Sequence, residues 1–326
     1  MLKLKYLFDN NELALMLLKN WNFDDESLDM FKYFRISSNA IYPFKDQGSV
    51  RILRFTPVSE KNLSDIKQEL EVMKILLENG FNVPKVVKSK QGNAIETKET
   101  PWGKYHAVVF ESVGKNTLEN IKMTEEIAYQ YGRSLGVFHE ISKRKIQSSV
   151  NRKSVYDIFD LIELKISKET VQLTTLMNEL NRIRVGFEKI EKAYETFGLI
   201  HYDYEVDNII HDSKTQNLFA IDFDDCMYGF YGQDIERAIN SIESEVDEAI
   251  QDIILSNFLK GYEIENGNLE IFQKNREIFK SFAEIYSYFR MKDSLEEKWD
   301  NEPKWMNNIR ERLNARMNNY IVKLES

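Results

Sequence analysis

The stretch "LIHYDYEVDNIIHD" (199–212) puts His201 two residues before Asp203 and seven before Asn208, and "IDFDDCMYG" (221–229) soon adds Asp222, Asp224 and Asp225. A lone His-x-Asp is most simply a buried histidine satisfied by its neighbour. The asparagine and the later aspartates suggest more. Carboxylate and amide oxygens are hard ligands that suit Mg²⁺, and one well-placed carboxylate can take the proton of an attacking hydroxyl. Residues 201–250 carry thirteen Asp/Glu against two Lys/Arg. Such an excess is costly unless bound cations or solvent meet it.

For these groups to act together, something must bring 208 and 222 side by side. The apolar runs 208–211 and 218–222 flank the turn "DSKTQN" and read as a β-hairpin. Residue 208 then starts one strand and 222 ends the other, facing across the pair. Upstream, "MFKYFRISSNAIYPFKDQGSVRILRFTP" reads as three strands over 31–36, 40–44 and 50–55. Apolar residues at 66, 70, 73, 76 and 77 predict a helix over 62–80, closed by Gly80. Strand-like runs return around 83–97 and at 105–113. After Gly114 the period is helical. Ile127, Tyr131, Leu135 and Phe138 form one stripe, Leu173 to Phe197 predicts one long packing helix, and the chain beyond 232 is mostly helical. The expected fold class is α+β: a small β-rich lobe (1–113) with one main helix, then a larger, mainly helical lobe (114–326) with an inserted β-hairpin.

Composition narrows the function. The 326 residues can bury a full core, and a net charge of −9 disfavours a nucleic-acid partner held through phosphates. The single cysteine, Cys226, excludes an intramolecular disulfide and a Cys-rich zinc site. No apolar run approaches the ~20 residues of a membrane span. The N-terminal stretch is broken by Asp9, Asn10, Asn11 and Glu12 before a signal core develops. A cytoplasmic protein without membrane or nucleic-acid partners is expected. Oligomeric state is not fixed by these features.

His201-x-Asp203-x-x-x-x-Asn208, the hairpin and Asp222 together resemble the catalytic core of the aminoglycoside phosphotransferase and choline kinase group of the protein-kinase-like superfamily. Its motif reads H-G-D-x-x-x-x-N, then I-D-[FWY]-[DE]. The resemblance, over roughly residues 30–240, implies a protein-kinase-like two-lobed fold, nucleotide-binding in 1–113 and catalytic and acceptor-binding in 114–326. It implies transfer of the γ-phosphate of ATP (or GTP), with Mg²⁺, to a hydroxyl of a small molecule. By the same resemblance Asp203 is the catalytic base, His201 shapes its loop, Asn208 and Asp222 hold the metal, and Asp234 braces the catalytic loop. Asp224 or Asp225 aids the metal site or is a solvated turn residue. Glu69 corresponds to the helix glutamate that pairs with a strand cation, and Arg54 stands where the family has lysine. "VVFESVG" resembles the interlobe hinge, where the Glu111 carbonyl and Val113 N–H would meet adenine. Ser37, Ser38 and Asn39 fall at the phosphate-covering loop, or are simple turn formers. Tyr202 replaces the motif's glycine. Such chemistry suits this residue set, because phosphoryl transfer through a loose transition state asks mainly for positioning and charge neutralisation.

Other readings compete. A protein Ser/Thr kinase of the same fold would differ only in acceptor. Arg54 and Tyr202 prompt a non-catalytic pseudokinase, against which Asp203, Asn208 and Asp222 are retained. His211-Asp212, with His139, His201 and Asp222, suggests an H…HD…D metal phosphohydrolase, although that dipeptide belongs on a helix and 208–212 reads as a strand. Acidity over 201–250 favours a cationic acceptor.

Overall fold

In a computed structural model of the chain, residues 3–4, 10–36, 39–146, 149–168, 173–267 and 269–325 are described. Ser37 and Ser38 lie outside the described residues. Two compact units divide the chain. One takes residues up to Leu70, Pro84–Val113 and Arg290–Ala315, and the other takes Glu71–Val83, Gly114–Phe289 and the residues from Arg316 onward. Among the described residues no helix is long and apolar enough to cross a membrane.

In the first unit, α1 (Asn11–Leu18) starts where the Asn10 side chain accepts the Leu13 N–H at 2.8 Å, a standard N-terminal cap. The strands β1 (Arg35–Ile36), β2 (Ala40–Asp46), β3 (Ser49–Pro57), β4 (Val86–Val87), β5 (Glu96–Thr100) and β6 (Gly103–Glu111) form one antiparallel sheet. Its order is β1-β2-β3-β6-β4, with β5 also on β6. The helix α2 (Leu63–Glu78) follows β3. Alternation along β3 sends Leu53 and Phe55 into a core with Tyr42, Phe44, Ala107 and Val109. Arg54 therefore points from the opposite face. The strand expected from residue 31 is shorter: Asp25–Tyr33 is a 3₁₀-helix and only Arg35–Ile36 pair. Phe31, within that helix, and Phe34, just past its end, both meet the Tyr42 ring, at 5.1 and 5.6 Å.

The second unit contains α3 (Glu125–Ile141), α4 (Val155–Ile166), α5 (Leu173–Glu188), β7 (Phe197–Ile200), β8 (Ile209–His211), β9 (Leu218–Ala220), β10 (Met227–Phe230), α6 (Tyr231–Glu245) and α7 (Glu248–Asn266). The helices α8 (Glu270–Leu295) and α9 (Lys304–Glu325) complete the chain. Leu176, Leu180, Ile183 and Phe187 of α5 are buried as the stripe predicts, but the helix ends at Glu188 rather than reaching Phe197. There the Thr196 hydroxyl donates to the Glu191 carbonyl at 2.6 Å and accepts the Ala193 N–H at 3.0 Å. That local turn competes with further helix, and Phe197 opens β7 instead. Phe187 sits edge-on to Phe159, Phe230 and Phe279, with centroids 5.2, 5.6 and 5.7 Å away, so α4, α5, β10 and α8 share one aromatic core.

Candidate active site

The strand β7 delivers the chain to His201, and its antiparallel partner β10 runs directly into α6. Asp234 lies in the first turn of α6 and is fully buried. Its carboxylate accepts the His201 N–H at 2.8 Å and the Tyr202 N–H at 2.6 Å, and faces His139 Nε2 at 3.1 Å. A buried charge must be met by donors, and here the donors are the backbone of the loop it fixes. Tyr202 is held at φ 66°, the left-handed region that glycine enters freely. Its ring is nevertheless buried, packed on Phe282 at 6.0 Å and Tyr286 at 5.3 Å. The motif's glycine position thus keeps glycine's backbone with a tyrosine side chain.

His201 is completely buried. Its Nδ1 accepts the Asp203 N–H at 3.3 Å, so Nε2 carries the proton and donates to the Ile221 carbonyl at 3.1 Å. Burial pushes its pKa below the usual histidine value, against the pull of Asp234 and Asp203. A neutral imidazole therefore ties the loop at 203 to the residue before Asp222. Two further anchors come from α3: Tyr131 Oη donates to the Tyr204 carbonyl at 2.6 Å, and Tyr204 Oη donates to Ser134 Oγ at 2.8 Å.

The hairpin forms with β8 and β9 paired Ile209↔Ala220 to His211↔Leu218. One residue outward, the Ile221 N–H donates to the Asn208 carbonyl at 3.0 Å. Asn208 and Asp222 thus flank one hairpin end. Asn208 Nδ2 donates to Asp203 Oδ2 at 2.9 Å and to the Asp203 carbonyl at 3.0 Å. With both amide hydrogens turned to Asp203, the Asn208 carbonyl Oδ1 is the end left to meet a cation. With the Asp222 carboxylate on the facing strand end it offers hard oxygen donors, of a chemistry that fits Mg²⁺ or a similar divalent ion. Asp222 has φ 62°, a conformation aspartate tolerates better than most residues. Asp224 and Asp225 follow in a 3₁₀ turn. Arg152 grips that turn from outside, donating through Nε to the Cys226 carbonyl at 2.7 Å and through Nη2 to the Asp224 carbonyl.

In the first unit, Arg54 and Glu69 are both buried and meet as a parallel fork, Nη1–Oε1 at 2.6 Å and Nη2–Oε2 at 2.7 Å. A guanidinium can make this bidentate pair where an ammonium cannot. Arg54 also lies over the Phe110 ring at 5.0 Å. Asn39 is buried, with its Oδ1 accepting from Lys61 Nζ at 3.3 Å. Glu111 ends β6, its N–H donated to the Lys85 carbonyl at 2.8 Å, and Val113 follows half-buried. His211 ends β8 and the Asp212 carboxylate caps the next turn through Thr215 at 2.7 Å. His139, His201, His211, Asp212 and Asp222 do not assemble as a metal cluster among the described residues.

Sequence reasoning passed over Arg237 and Arg152. Arg237 Nη2 contacts Asp203 Oδ1 at 2.9 Å and Glu205 Oε1 at 2.5 Å, and its Nε donates to the Tyr202 carbonyl at 3.1 Å. The available signal was its rarity, as one of two cations among the thirteen acids of 201–250.

Residues 36–267 match the family described as APH, phosphotransferase enzyme family. No curated protein matches the chain in sequence. Among solved structures, amicoumacin kinase hAmiN, in complex with AMP-PNP, Ca²⁺ and Ami, is 18% identical with a TM-score of 0.76, covering 97% of this chain and 95% of its own. The microcompartment-associated aminopropanol kinase is 20% identical with a TM-score of 0.71, covering 97% of each chain. Spectinomycin phosphotransferase APH(9)-Ia, in complex with ADP and spectinomycin, is 12% identical with a TM-score of 0.62, covering 98% of each. At these identities the likeness is one of fold.

Proposed function

The chain belongs to the phosphotransferase enzyme family, and from that premise we propose that it moves the γ-phosphate of ATP or GTP to a hydroxyl of a small molecule. The observation that carries this reading is the 2.9 Å contact of Asn208 Nδ2 with Asp203 Oδ2, beside the hairpin end shared by Asn208 and Asp222. This supports a reading in which Asp203 serves as base next to Asn208 and Asp222 as oxygen ligands, the positioning that in-line phosphoryl transfer needs.

Asp203 orients the acceptor hydroxyl and receives its proton as the new O–P bond forms and the bond from the γ-phosphorus to the β–γ bridging oxygen breaks, releasing the nucleoside diphosphate. His201, neutral and buried, keeps the Asp203 loop registered against the segment that presents Asp222. Asn208 Oδ1 and Asp222 hold the divalent ion, with Asp224 as a further candidate. That ion, Mg²⁺ in this reading, neutralises charge on the phosphates when bound. Arg54, oriented by Glu69, serves the phosphates from the nucleotide-binding region 1–113. By the family resemblance Ser37, Ser38 and Asn39 would cover the phosphates, and the backbone of Glu111 and Val113 would meet the adenine.

The acceptor we favour is an amine-bearing alcohol. The thirteen acids of residues 201–250 support it, and so do two neighbours, one named for aminopropanol and one holding spectinomycin. The test is ADP release over a panel of amino alcohols, aminoglycosides, sugars and a serine peptide, with wild type and Asp203→Asn. Acceptor-dependent turnover is expected, falling at least about 10²-fold in the variant. Turnover on the peptide alone would move the reading to a protein kinase. Undiminished turnover in Asp203→Asn would remove Asp203 from its role.

A further inference from the structure

We propose that Arg237 is a positioning residue for the phosphotransfer step, holding Asp203 and the left-handed Tyr202 in one fixed arrangement. This rests on the role of Asp203 given above. Arg237 and Asp234 lie three apart on α6 and so share a face. From that face they take the Tyr202 residue at both ends: Asp234 Oδ1 accepts its N–H at 2.6 Å, and Arg237 Nε donates to its carbonyl at 3.1 Å. The guanidinium also lies over the Tyr202 ring, 5.3 Å from its centroid. A non-glycine residue at φ 66° persists only where its surroundings over-determine it, and these contacts do so.

The same guanidinium reaches the candidate base. Asp203 Oδ1 accepts from Arg237 Nη2 at 2.9 Å while Oδ2 accepts from Asn208 at 2.9 Å. The carboxylate is thus held from both sides. Glu205 Oε1, at 2.5 Å from the same Nη2, keeps the guanidinium from following Asp203 alone. The guanidinium serves the carbonyl through Nε and both carboxylates through Nη2, two donors set apart in one rigid plane, which an ammonium's single nitrogen does not provide. Removing Arg237 leaves Asp203 fastened by Asn208 only. Misplacement of a reacting group by about 1 Å can lower a rate on the order of 10²-fold.

The experiment compares wild type, Arg237→Lys and Arg237→Met. With an acceptor found in the panel, Arg237→Met is expected to lower kcat by about 10- to 100-fold. Its KM for ATP should change less than kcat, because Arg237 itself touches Tyr202, Asp203 and Glu205 and none of the residues assigned to the nucleotide or its ion. Guanidinium ion added at millimolar concentration should restore part of kcat in Arg237→Met but none in Asp203→Asn. Arg237→Lys, which keeps the charge, should fall between. The proposal fails if Arg237→Met keeps kcat within twofold of wild type, if guanidinium restores nothing, or if Arg237→Lys matches wild type. A crystal structure of Arg237→Lys gives a reading independent of turnover: Asp203 rotated off its wild-type position supports the proposal, and an unmoved carboxylate overturns it. Absence of wild-type turnover on every acceptor would count against the phosphotransfer reading while leaving that crystallographic arm intact.

Discussion

Tyr202 sets two energies of opposite sign against each other. Its left-handed backbone, φ 66°, costs about 1–2 kcal/mol relative to glycine, while its buried ring on Phe282 and Tyr286 is worth about 3–5 kcal/mol if lost. Packing wins. Tyr202→Gly should therefore destabilise the protein by about 1–4 kcal/mol, although it restores the residue common in the family motif. Urea unfolding at neutral pH reads this directly, and an unchanged or raised stability would show that the ring contributes nothing beyond its strain. Sequence alone revealed the departure but not its reason, because φ at 202 is dictated by Asp234, thirty-two residues away. His201, Asp203, Asn208 and Asp222 were legible because their spacing is local and the hairpin between them is short. Arg237 was not legible, since nothing in "DIERA" says that its side chain returns to Asp203 across thirty-four residues.

The helices show where periodicity serves and where it misleads. Apolar spacing continued past Glu188 through Ile190, Tyr194 and Phe197, but Tyr194 is 47% exposed and the Thr196 turn interrupts the helix. The run 31–36 read as strand, yet Asp25–Tyr33 is a 3₁₀-helix, with Phe31 within it and Phe34 just past its end both against Tyr42. The contact of α3 with α7 was invisible to periodicity, since it depends on residues without side chains. A Cβ on Gly132 would stand 1.8 Å from the Phe258 carbonyl oxygen, and one on Gly261 would stand 2.0 Å from that of Tyr129. Backbone blocks backbone at both points, so the helices must separate to admit a methyl. Alanine normally favours a helix over glycine by about 1 kcal/mol. Here Gly132→Ala should instead lower stability by about 1–3 kcal/mol or more, the scale of overpacking. Turnover should fall with it, because α3 carries Tyr131 and His139, which hold Tyr204 and face Asp234. A melting temperature at or above that of wild type would refute the close approach.

At the scale of the whole molecule, the two fully buried histidines link stability to pH. Burial lowers the pKa of His139 from 6.5, outweighing the opposing pull of Asp234, and burial likewise lowers that of His201. Both are therefore neutral in the folded protein at a pH where the unfolded chain already takes up protons. With unfolded values near 6.5 and folded values below, stability is full above about pH 6.5 and is lost as pH falls beneath it, by up to about 1.4 kcal/mol per pH unit for each histidine. From pH 7.5 to 5.5 the two together set an upper limit of about 3 kcal/mol on this loss. An opposing effect comes from the net charge of −9, whose self-repulsion eases as protons bind. Salt separates the two, since at 1 M the Debye length is about 3 Å and repulsion across the surface is screened, whereas the buried imidazoles are not. Urea unfolding in 1 M NaCl should therefore show the full acid-side loss. An unchanged midpoint between pH 7.5 and 5.5 would mean that His139 and His201 accept protons without unfolding, and that the neutral imidazole bridging Asp203 and Ile221 is not a fixed part of the site.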